Sequence, residues 1–565
     1  MNPVLQNLGR GALGMAFLIL VCYLLSTNRK AISWKLVILG VVAQVMFAMG
    51  VLHTTFMGQP VFWMMFGVVL LYTIVRKFLK IKNSNTHNTS INNNTQAPET
   101  QNASITYDVL HIALSIVWQV LFIAGLILAA QIFGNWSGLA MLVSAITILV
   151  IAFKMGARHA ELMKWNILLS AAIVTICVYT KICPPDIFRI ILQSASSVFV
   201  ALINVSHKGT EFLFGNLADP SQNWAYVFAI QVLPNIIFFA ALSAILFYLG
   251  ILQKLVFVFA YLLNKLNISG PESLSTAANI FLGQTEAPLM IRPYLEKMTR
   301  SEILLIMVGG MANTAGSVLA AYVGMLGGTD IVQQNYFALH MLSQTIMSAP
   351  AAIVVAKILF PQSEPHLISK DITVPKDKLG DNFLDALSLG TTDGLKLAVN
   401  VGAMLIVYTA VVWVVNGLMG WIGDLTHLNT QIAAATGGRY TALSLQMVLG
   451  YVFSPVAWLI GVNAIDMISI GQLLGEKTIL NEFVAYISMA KMKAENLIID
   501  SKSMIIATYA LSGFANFASI GIQIGGISQL APSQRRNLTE LGVKALIGGT
   551  IACLMCACIA GALFQ

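Results

Sequence analysis

Long apolar runs recur along this chain and constrain its fold more than any other feature. Residues 13–25, 37–51, 61–75, 109–133, 139–153 and 165–179 are almost wholly apolar, with polar or basic breaks between them. The longest run reaches the ~20 residues that a helix needs to cross a bilayer core, and the shorter ones need their flanks to do so. Only 10% of the residues are charged and 57% are apolar, against about 25% charged in a soluble domain. The first run lacks a small-residue cleavage site and is followed by further runs, so it reads as a span rather than a removed signal. The chain is therefore expected to be an all-α polytopic membrane protein, multi-pass in the inner or plasma membrane of the cell.

The net charge of +8 points to topology and not to nucleic acid. Its basic residues gather in short loops: Arg29, Lys30 and Lys35; Arg76, Lys77, Lys80 and Lys82; Lys154, Arg158 and Lys164. The alternate loops at 53–60 and 134–138 carry none, the asymmetry expected of cytoplasmic loops. Of six cysteines, Cys22, Cys177, Cys553, Cys556 and Cys558 lie inside apolar stretches and Cys183 follows one. No His or second CxxC accompanies them, so they read as small packing residues and imply neither a metal nor a disulfide framework.

Composition divides the chain. Residues 1–82 hold three N-terminal spans, and 83–106 form an Asn-, Thr- and Ser-rich segment that cannot bury a core and reads as a disordered linker. Residues 107–225 hold three more spans and an amphipathic stretch, 185–218, suited to the membrane interface. Residues 226–565 form the remaining block, in which 226–263 is expected to break at Pro234-Asn235.

Within that block the apolar pattern fails twice. At 270–298 it is cut by Gly283-Gln284-Thr285-Glu286 and Pro288, and at 461–495 by Gly471, Gly475 and Asn481-Glu482. Unpaired backbone is tolerated at membrane depth only around a cavity lined by protein or water, so both segments are expected to be re-entrant hairpins. Each is followed by a span with a polar middle, Gly310-Met-Ala-Asn-Thr-Ala-Gly316 and Gly513-Phe-Ala-Asn-Phe-Ala-Ser519, which share the pattern G-[MF]-A-N-x-A-[GS]. Interrupted segments at matching places in two halves point to the binding site of a carrier built from inverted repeats, each with a hairpin and a discontinuous span. Chance recurrence in Gly/Ala-rich helices is the alternative.

Glu286 and Glu482 stand in these apolar surroundings, where a carboxylate costs a few kcal/mol and normally faces a cavity or a partner. Both come with neighbouring amides. Carboxylates and amides together suit a neutral ligand rich in hydroxyl and imide groups, and the sequence offers little intramembrane Arg or Lys to hold an anion. Arg292 sits close to Lys297 and Arg300 and reads as a loop residue. Asp393 reads as the N-cap of a long apolar helix, Asn400 as a polar join between helices, and His340 as structural. No HExxH, GxxxxGK[ST] or GxGD motif is present, so an enzyme is not expected.

At these residues the sequence resembles the concentrative nucleoside transporter family. The likeness rests on 277–289 (AANIFLGQTEAPL), 309–312 (GGMA), 393–404 (DGLKLAVNVGAM), 481–486 (NEFVAY), 512–516 (SGFAN), 212–217 (FLFGNL) and 233–239 (LPNIIFF). It spans 107–565 and leaves the first spans and the linker outside. It implies a homotrimer with one site per subunit. Gln284, Thr285 and Glu286, with Val318, would hold the base of a nucleoside. Glu482, Asn516 and Ser519, with Phe514, would hold its ribose. A sodium site would involve Asn279, Leu282, Thr314 and Asn313, the last standing where the family has a small hydroxyl residue. That departure leaves proton coupling open beside sodium. The expected function is import of nucleosides by symport with a cation, the hairpin-bearing part moving against a trimeric scaffold. Alternatives are a carrier for nucleobases or another neutral polyhydroxylated solute, or a passive pore. No cofactor beyond the coupling ion is implied, and the expected partners are the nucleoside, the lipid bilayer and two further copies of the chain.

Overall fold

The structure, a computed structural model, describes residues 3–52, 184–218, 227–364 and 380–564. The chain divides into two compact units, Met1–His53 with Ile191–Gln565, and Thr54–Ile190. The helices below belong to the first, except for residues 184–190 at the start of α3. The runs at 61–75, 109–133, 139–153 and 165–179 and the linker at 83–106 lie outside the described residues. Among the described residues there is no strand, and seven helices are long and apolar enough to span a bilayer.

In chain order the main helices are α1 (Pro3–Leu24), α2 (Trp34–Leu52), α3 (Pro184–Phe214), α4 (Leu233–Tyr248), α5 (Ile251–Asn264), α6 (Gly270–Ala278), α7 (Arg300–Ala312), α8 (Gly316–Gly327) and α9 (Ile331–Leu359). They continue with α10 (Phe383–Leu425), α11 (Leu445–Leu459), α12 (Met467–Ile479), α13 (Glu482–Ala494), α14 (Ser501–Leu511), α15 (Phe517–Leu530) and α16 (Arg535–Leu563). The second half of the order repeats the first: a hairpin (α6 and its return; α12–α13), a broken span (α7–α8; α14–α15), then an unbroken helix of 29 residues (α9; α16).

α9 and α16 form the centre, α7 packing on both and α14 on α16. The most apolar windows of α7–α8 and α9 are each 94% buried, whereas that of α10 is 6% buried. The 43 residues of α10 extend about 65 Å at 1.5 Å per residue, more than twice the ~30 Å core of a bilayer. Trp413, Ile406 and Leu384 on it are exposed, so its apolar surface is offered to lipid or to another protein.

α1 lies along α16 and α2 along α9. Gly11 allows the first approach and Gly40 the second, because a Cβ at either would collide with the facing helix, and a Cβ at Gly14 would collide with Leu459 O at the end of α11 as well as with Cys558 Sγ of α16. These two N-terminal helices thus pack directly on the two central ones.

Three local expectations change. The break expected at Pro234 falls instead at Val232 and at Gly250, which has φ +73°. Pro234 lies in the first turn of α4, where its missing N–H has no helical partner to lose. Asp393 is no N-cap: α10 begins at Phe383 behind Asn382, whose side chain accepts from Asp385 N–H. Asp393 is exposed and pairs with Lys396 at 3.4 Å. The 390–394 segment carries a different signal, G-x-x-x-G. A Cβ at Gly390 would stand 2.9 Å from Ala241 Cα and one at Gly394 2.8 Å from Ile237 Cα, the small-residue contact by which membrane helices approach closely. Asn400 points outward on α10. His340 is buried between Tyr336 and Tyr509, as a structural residue would be.

Candidate functional site

Each half contributes a helix that stops inside the bundle. α7 ends at Ala312 and the chain resumes as α8 at Gly316, while α14 ends at Leu511 and resumes as α15 at Phe517. An interrupted helix leaves terminal N–H and C=O groups without helical partners, and here the two breaks meet. Gln344 on α9 donates through Nε2 to Ala312 O (3.2 Å) and to Ser512 O (2.8 Å). The Cys553 thiol on α16 reaches the same two carbonyls at 3.5 and 3.1 Å. Gly513 adopts φ +137°, and a Cβ there would lie 2.7 Å from Cys553 Sγ and 2.9 Å from both Met311 O and Ala312 O. Only glycine fits a backbone so turned and so crowded.

The second hairpin delivers Glu482. Asn481 caps α13, its Oδ1 accepting from Val484 N–H at 2.9 Å, which puts Glu482 in the first helical turn, where the helix dipole favours a negative group. The carboxylate is 4% exposed. Oε2 accepts from Asn516 Nδ2 (2.7 Å) and Oε1 from Tyr322 OH on α8 (3.3 Å). Asn516 in turn caps α15, its Oδ1 accepting from Ser519 N–H at 2.8 Å. Ser519 Oγ then accepts from Gln284 Nε2 of the first hairpin at 3.2 Å. A single run of hydrogen bonds, Tyr322–Glu482–Asn516–Ser519–Gln284, therefore joins both halves.

The first hairpin is built on a capping box, Ser269 with Glu272, and Glu272 also forms a buried ion pair with Lys357 near the end of α9. Its tip turns at 279–286. Gln284 is buried and its Oε1 has no protein partner. Thr285 lies over Gly526 of α15. Glu286 folds back so that Oε2 accepts from Gly283 N–H at 3.2 Å, and its side chain is otherwise exposed. Val318 is buried one turn before Tyr322 on α8. Phe514 is half-buried at the second break.

Beside the first break stand oxygens with nothing to bind. Asn279 Oδ1 and Nδ2 and Thr314 Oγ1 are buried without partners, as are Ser275 Oγ and Thr276 Oγ1. Buried polar atoms are normally hydrogen-bonded, so such a group needs an explanation such as an ion. Asn279 approaches the end of α7, where Gly309 has no side chain to obstruct it. Leu282 is buried in the same turn. Asn313 behaves otherwise: its Oδ1 accepts from the Ser348 hydroxyl and its Nδ2 donates to Gly309 O at 3.3 Å. No group of three or more His, Cys, Asp or Glu side chains suited to a transition metal occurs among the described residues.

Tyr322, Gln344 and Lys477 were not singled out from sequence, and Cys553 was read there as a small packing residue. The signal for Lys477 was present, since it stands in the same interrupted apolar segment as Glu482. Lys477 is 2% exposed and donates to Ala510 O at 2.8 Å.

Broken helices that end against each other and two hairpins that converge on acids, amides and unpaired oxygens define a helical membrane carrier. Family models described as the sodium-dependent nucleoside transporter N-terminus, nucleoside recognition, and the sodium-dependent nucleoside transporter C-terminus match residues 13–76, 229–329 and 340–561. An uncharacterized transporter of Haemophilus influenzae is 41% identical over 66% of this chain and 84% of its own. The transporter YutK of Bacillus subtilis is 37% identical over 74% and 98%. The chain belongs to the concentrative, sodium-dependent nucleoside transporter family. It spans about half of the animal relatives it matches, 54% of the rat sodium/nucleoside cotransporter 1 at 37% identity. The structure of CNTnw in an inward-facing substrate-bound state superposes with TM-score 0.67 at 29% identity, covering 99% of this chain and 98% of that one. An outward-facing variant of CNTnw gives 0.67 at 28%, covering 100% and 98%. The N-terminal match carries the family likeness back to residue 13, where the motifs had traced it only from 107.

Proposed function

We propose that this protein imports nucleosides across the cell membrane by symport with sodium. The observation that carries the reading is the hydrogen-bonded run from Gln284 to Glu482, because it brings the tips of both hairpins and the second break into one place. A carboxylate offers about four lone-pair sites. Glu482 has two of them engaged by Tyr322 and Asn516, which leaves acceptor capacity for the vicinal hydroxyls of a ribose. Ser519 and Asn516 stand beside it, with Phe514 as an apolar wall. Gln284 Oε1, Thr285 and the exposed Glu286 offer donors and acceptors to a nucleobase, with Val318 packing on it.

Sodium, a hard cation that prefers oxygen, suits Asn279 Oδ1, Thr314 Oγ1 and the carbonyl of Leu282. Asn313 Oδ1 accepts from Ser348 and keeps a second lone pair for the ion, while its Nδ2 holds the end of α7 at Gly309 O. In this reading each subunit holds one site, and the long apolar face of α10 anchors it to two further copies. The hairpins with their broken spans then move against that anchor.

Uptake of radiolabelled uridine and adenosine into proteoliposomes, with sodium and pH gradients imposed separately, tests the reading. A sodium gradient is expected to drive accumulation. Uptake driven by a pH gradient alone would replace sodium by protons, and uptake indifferent to both would make the protein a passive pore.

A further inference from the structure

The first helix of the first hairpin, α6, is buried along its whole length, yet one of its faces is polar. Glu272, Ser275, Thr276 and Asn279 follow one another at three- and four-residue spacings, which makes them neighbours on a helix surface. At 1.5 Å per residue they cover about 10 Å. Asn279 stands at the cation site proposed above. Glu272, at the other end, forms the buried ion pair with Lys357, whose ammonium also donates to Ser301 Oγ at 3.1 Å.

The end at Lys357 lies beside a basic loop. Lys357 is two residues before the end of α9, and the carbonyl of Leu359, the last residue, accepts from Thr27 N–H at 3.0 Å. Thr27 leads into the loop that carries Arg29, Lys30 and Lys35, whose charge marks the cytoplasmic side. The polar face of α6 thus runs from the cation site toward the inner surface.

Its middle departs from the usual habit of helical hydroxyls. These commonly donate to the carbonyl three or four residues earlier, as Ser273 does to Gly270 O at 2.7 Å and Thr345 to Leu342 O at 2.9 Å. The hydroxyls of Ser275 and Thr276 make no such bond and have no other partner among the described residues. Thr276 turns toward α7 at Gly309, where a Cβ would stand 3.9 Å from Thr276 Oγ1 and 3.3 Å from Asn279 Nδ2. Buried polar atoms without partners penalise the closed interface and are satisfied when it opens to water or an ion. Neutral hydroxyls suit a passage, since they replace part of a hydration shell and still let the ion go. A free carboxylate at the exit would trap a cation, and Lys357 neutralises the one that is there.

We propose that the α6–α7 interface is the route by which the transported cation leaves for the cytoplasm, from Asn279 past Thr276 and Ser275 to the Glu272–Lys357 pair. The inference rests on the symport reading above and adds its inner exit. The route is closed in this structure, where none of the four α6 residues is more than 1% exposed.

The full-length protein in right-side-out vesicles tests the route by separating two modes of transport. Net uptake requires the cation to be released inside before the carrier returns empty. Exchange of internal labelled for external unlabelled uridine, with sodium equal on both sides, requires only uridine to leave. Thr276→Val keeps the shape and removes the hydroxyl, so the solubilised protein is expected to melt no lower than the wild type and to be stabilised by sodium as before. Its maximal net uptake is expected to fall about 10-fold while exchange stays within about 2-fold. Lys357→Gln uncovers Glu272 and is expected to make uptake about 10-fold more sensitive to sodium placed inside. Thr276→Cys is expected to be blocked by a cationic thiol reagent enclosed in the vesicles, beyond any effect of the reagent on the wild type. Unchanged net uptake in Thr276→Val, or equal loss of net uptake and exchange, would overturn the route while sodium-driven uptake by the wild type upheld symport. Loss of sodium stabilisation in this variant would make Thr276 part of the cation site itself and would also overturn it. If Lys357→Gln does not fold, Thr276→Val decides alone. Wild-type uptake indifferent to every cation gradient would end the symport reading and this inference together.

Discussion

The two broken spans share the letters G-[MF]-A-N and put them to opposite uses. In the second, Asn516 turns into the site, caps α15 and holds Glu482. In the first, Asn313 turns away and is held by Ser348 on α9. The glycines diverge too. Gly513 has φ +137° and is pressed against backbone carbonyls, whereas a Cβ at Gly310 would meet chiefly the side chains of Gln284 and Gln523. A repeated motif here marks where a helix must break, and the neighbours decide what the break does.

Substitution in pairs sharpens this contrast. The largest difference is expected for glycine. Gly513→Ala has neither the φ nor the room and is expected to cost more than about 3 kcal/mol, seen as loss of monodisperse protein after solubilisation. Gly310→Ala is expected to fold, with weakened uridine binding through Gln284. Equal damage by both would contradict the assignment of strain to the second break.

The acids come next. Glu482→Gln removes the charge that accepts from both Tyr322 and Asn516, and uridine uptake is expected to fall about 100-fold or more, the usual scale for breaking a buried charged hydrogen bond. Glu286→Gln is expected to lower uptake about 10-fold or less and to shift the uridine-to-adenosine ratio. Competition assays with unlabelled nucleosides check both.

The asparagines separate in the same way. Asn516→Ala loses a cap worth about 1 kcal/mol and strands Glu482, so uptake should nearly vanish while membrane insertion persists. Asn313→Ala should leave uridine KM within about 3-fold and raise the sodium concentration for half-maximal uptake, through a loosened end of α7. The reverse pattern would exchange the roles given to the two residues. Last, Asp393→Asn is expected to change neither stability nor uptake measurably, because its ion pair with Lys396 is exposed.

The elements most legible in the sequence were those where composition and periodicity conflict. An acid or a glycine pair inside an apolar run has few physical readings, so both hairpins, both breaks and the pair Glu482–Asn516 could be found before any coordinates. Contacts between distant segments were less accessible. Nothing local to Tyr322 announces that its hydroxyl reaches a residue 160 positions away, and Gln344 looks like any polar residue in a helix until two carbonyls arrive beside it. Asp393 misled because its short polar side chain suits a cap, while the glycines flanking it carried the true signal, a close helix crossing. Lys477 was overlooked although the rule applied to the acids covered it equally.

The meeting of Ala312 and Ser512 on one glutamine and one cysteine has a consequence for how such a chain can diverge. Two matching segments are free to differ wherever they touch different surroundings. At this spot they share the same two donors, so a change that suits one break is imposed on the other. Mutations around Gln344 and Cys553 should therefore show strong epistasis across the two breaks, which cannot be tuned separately there.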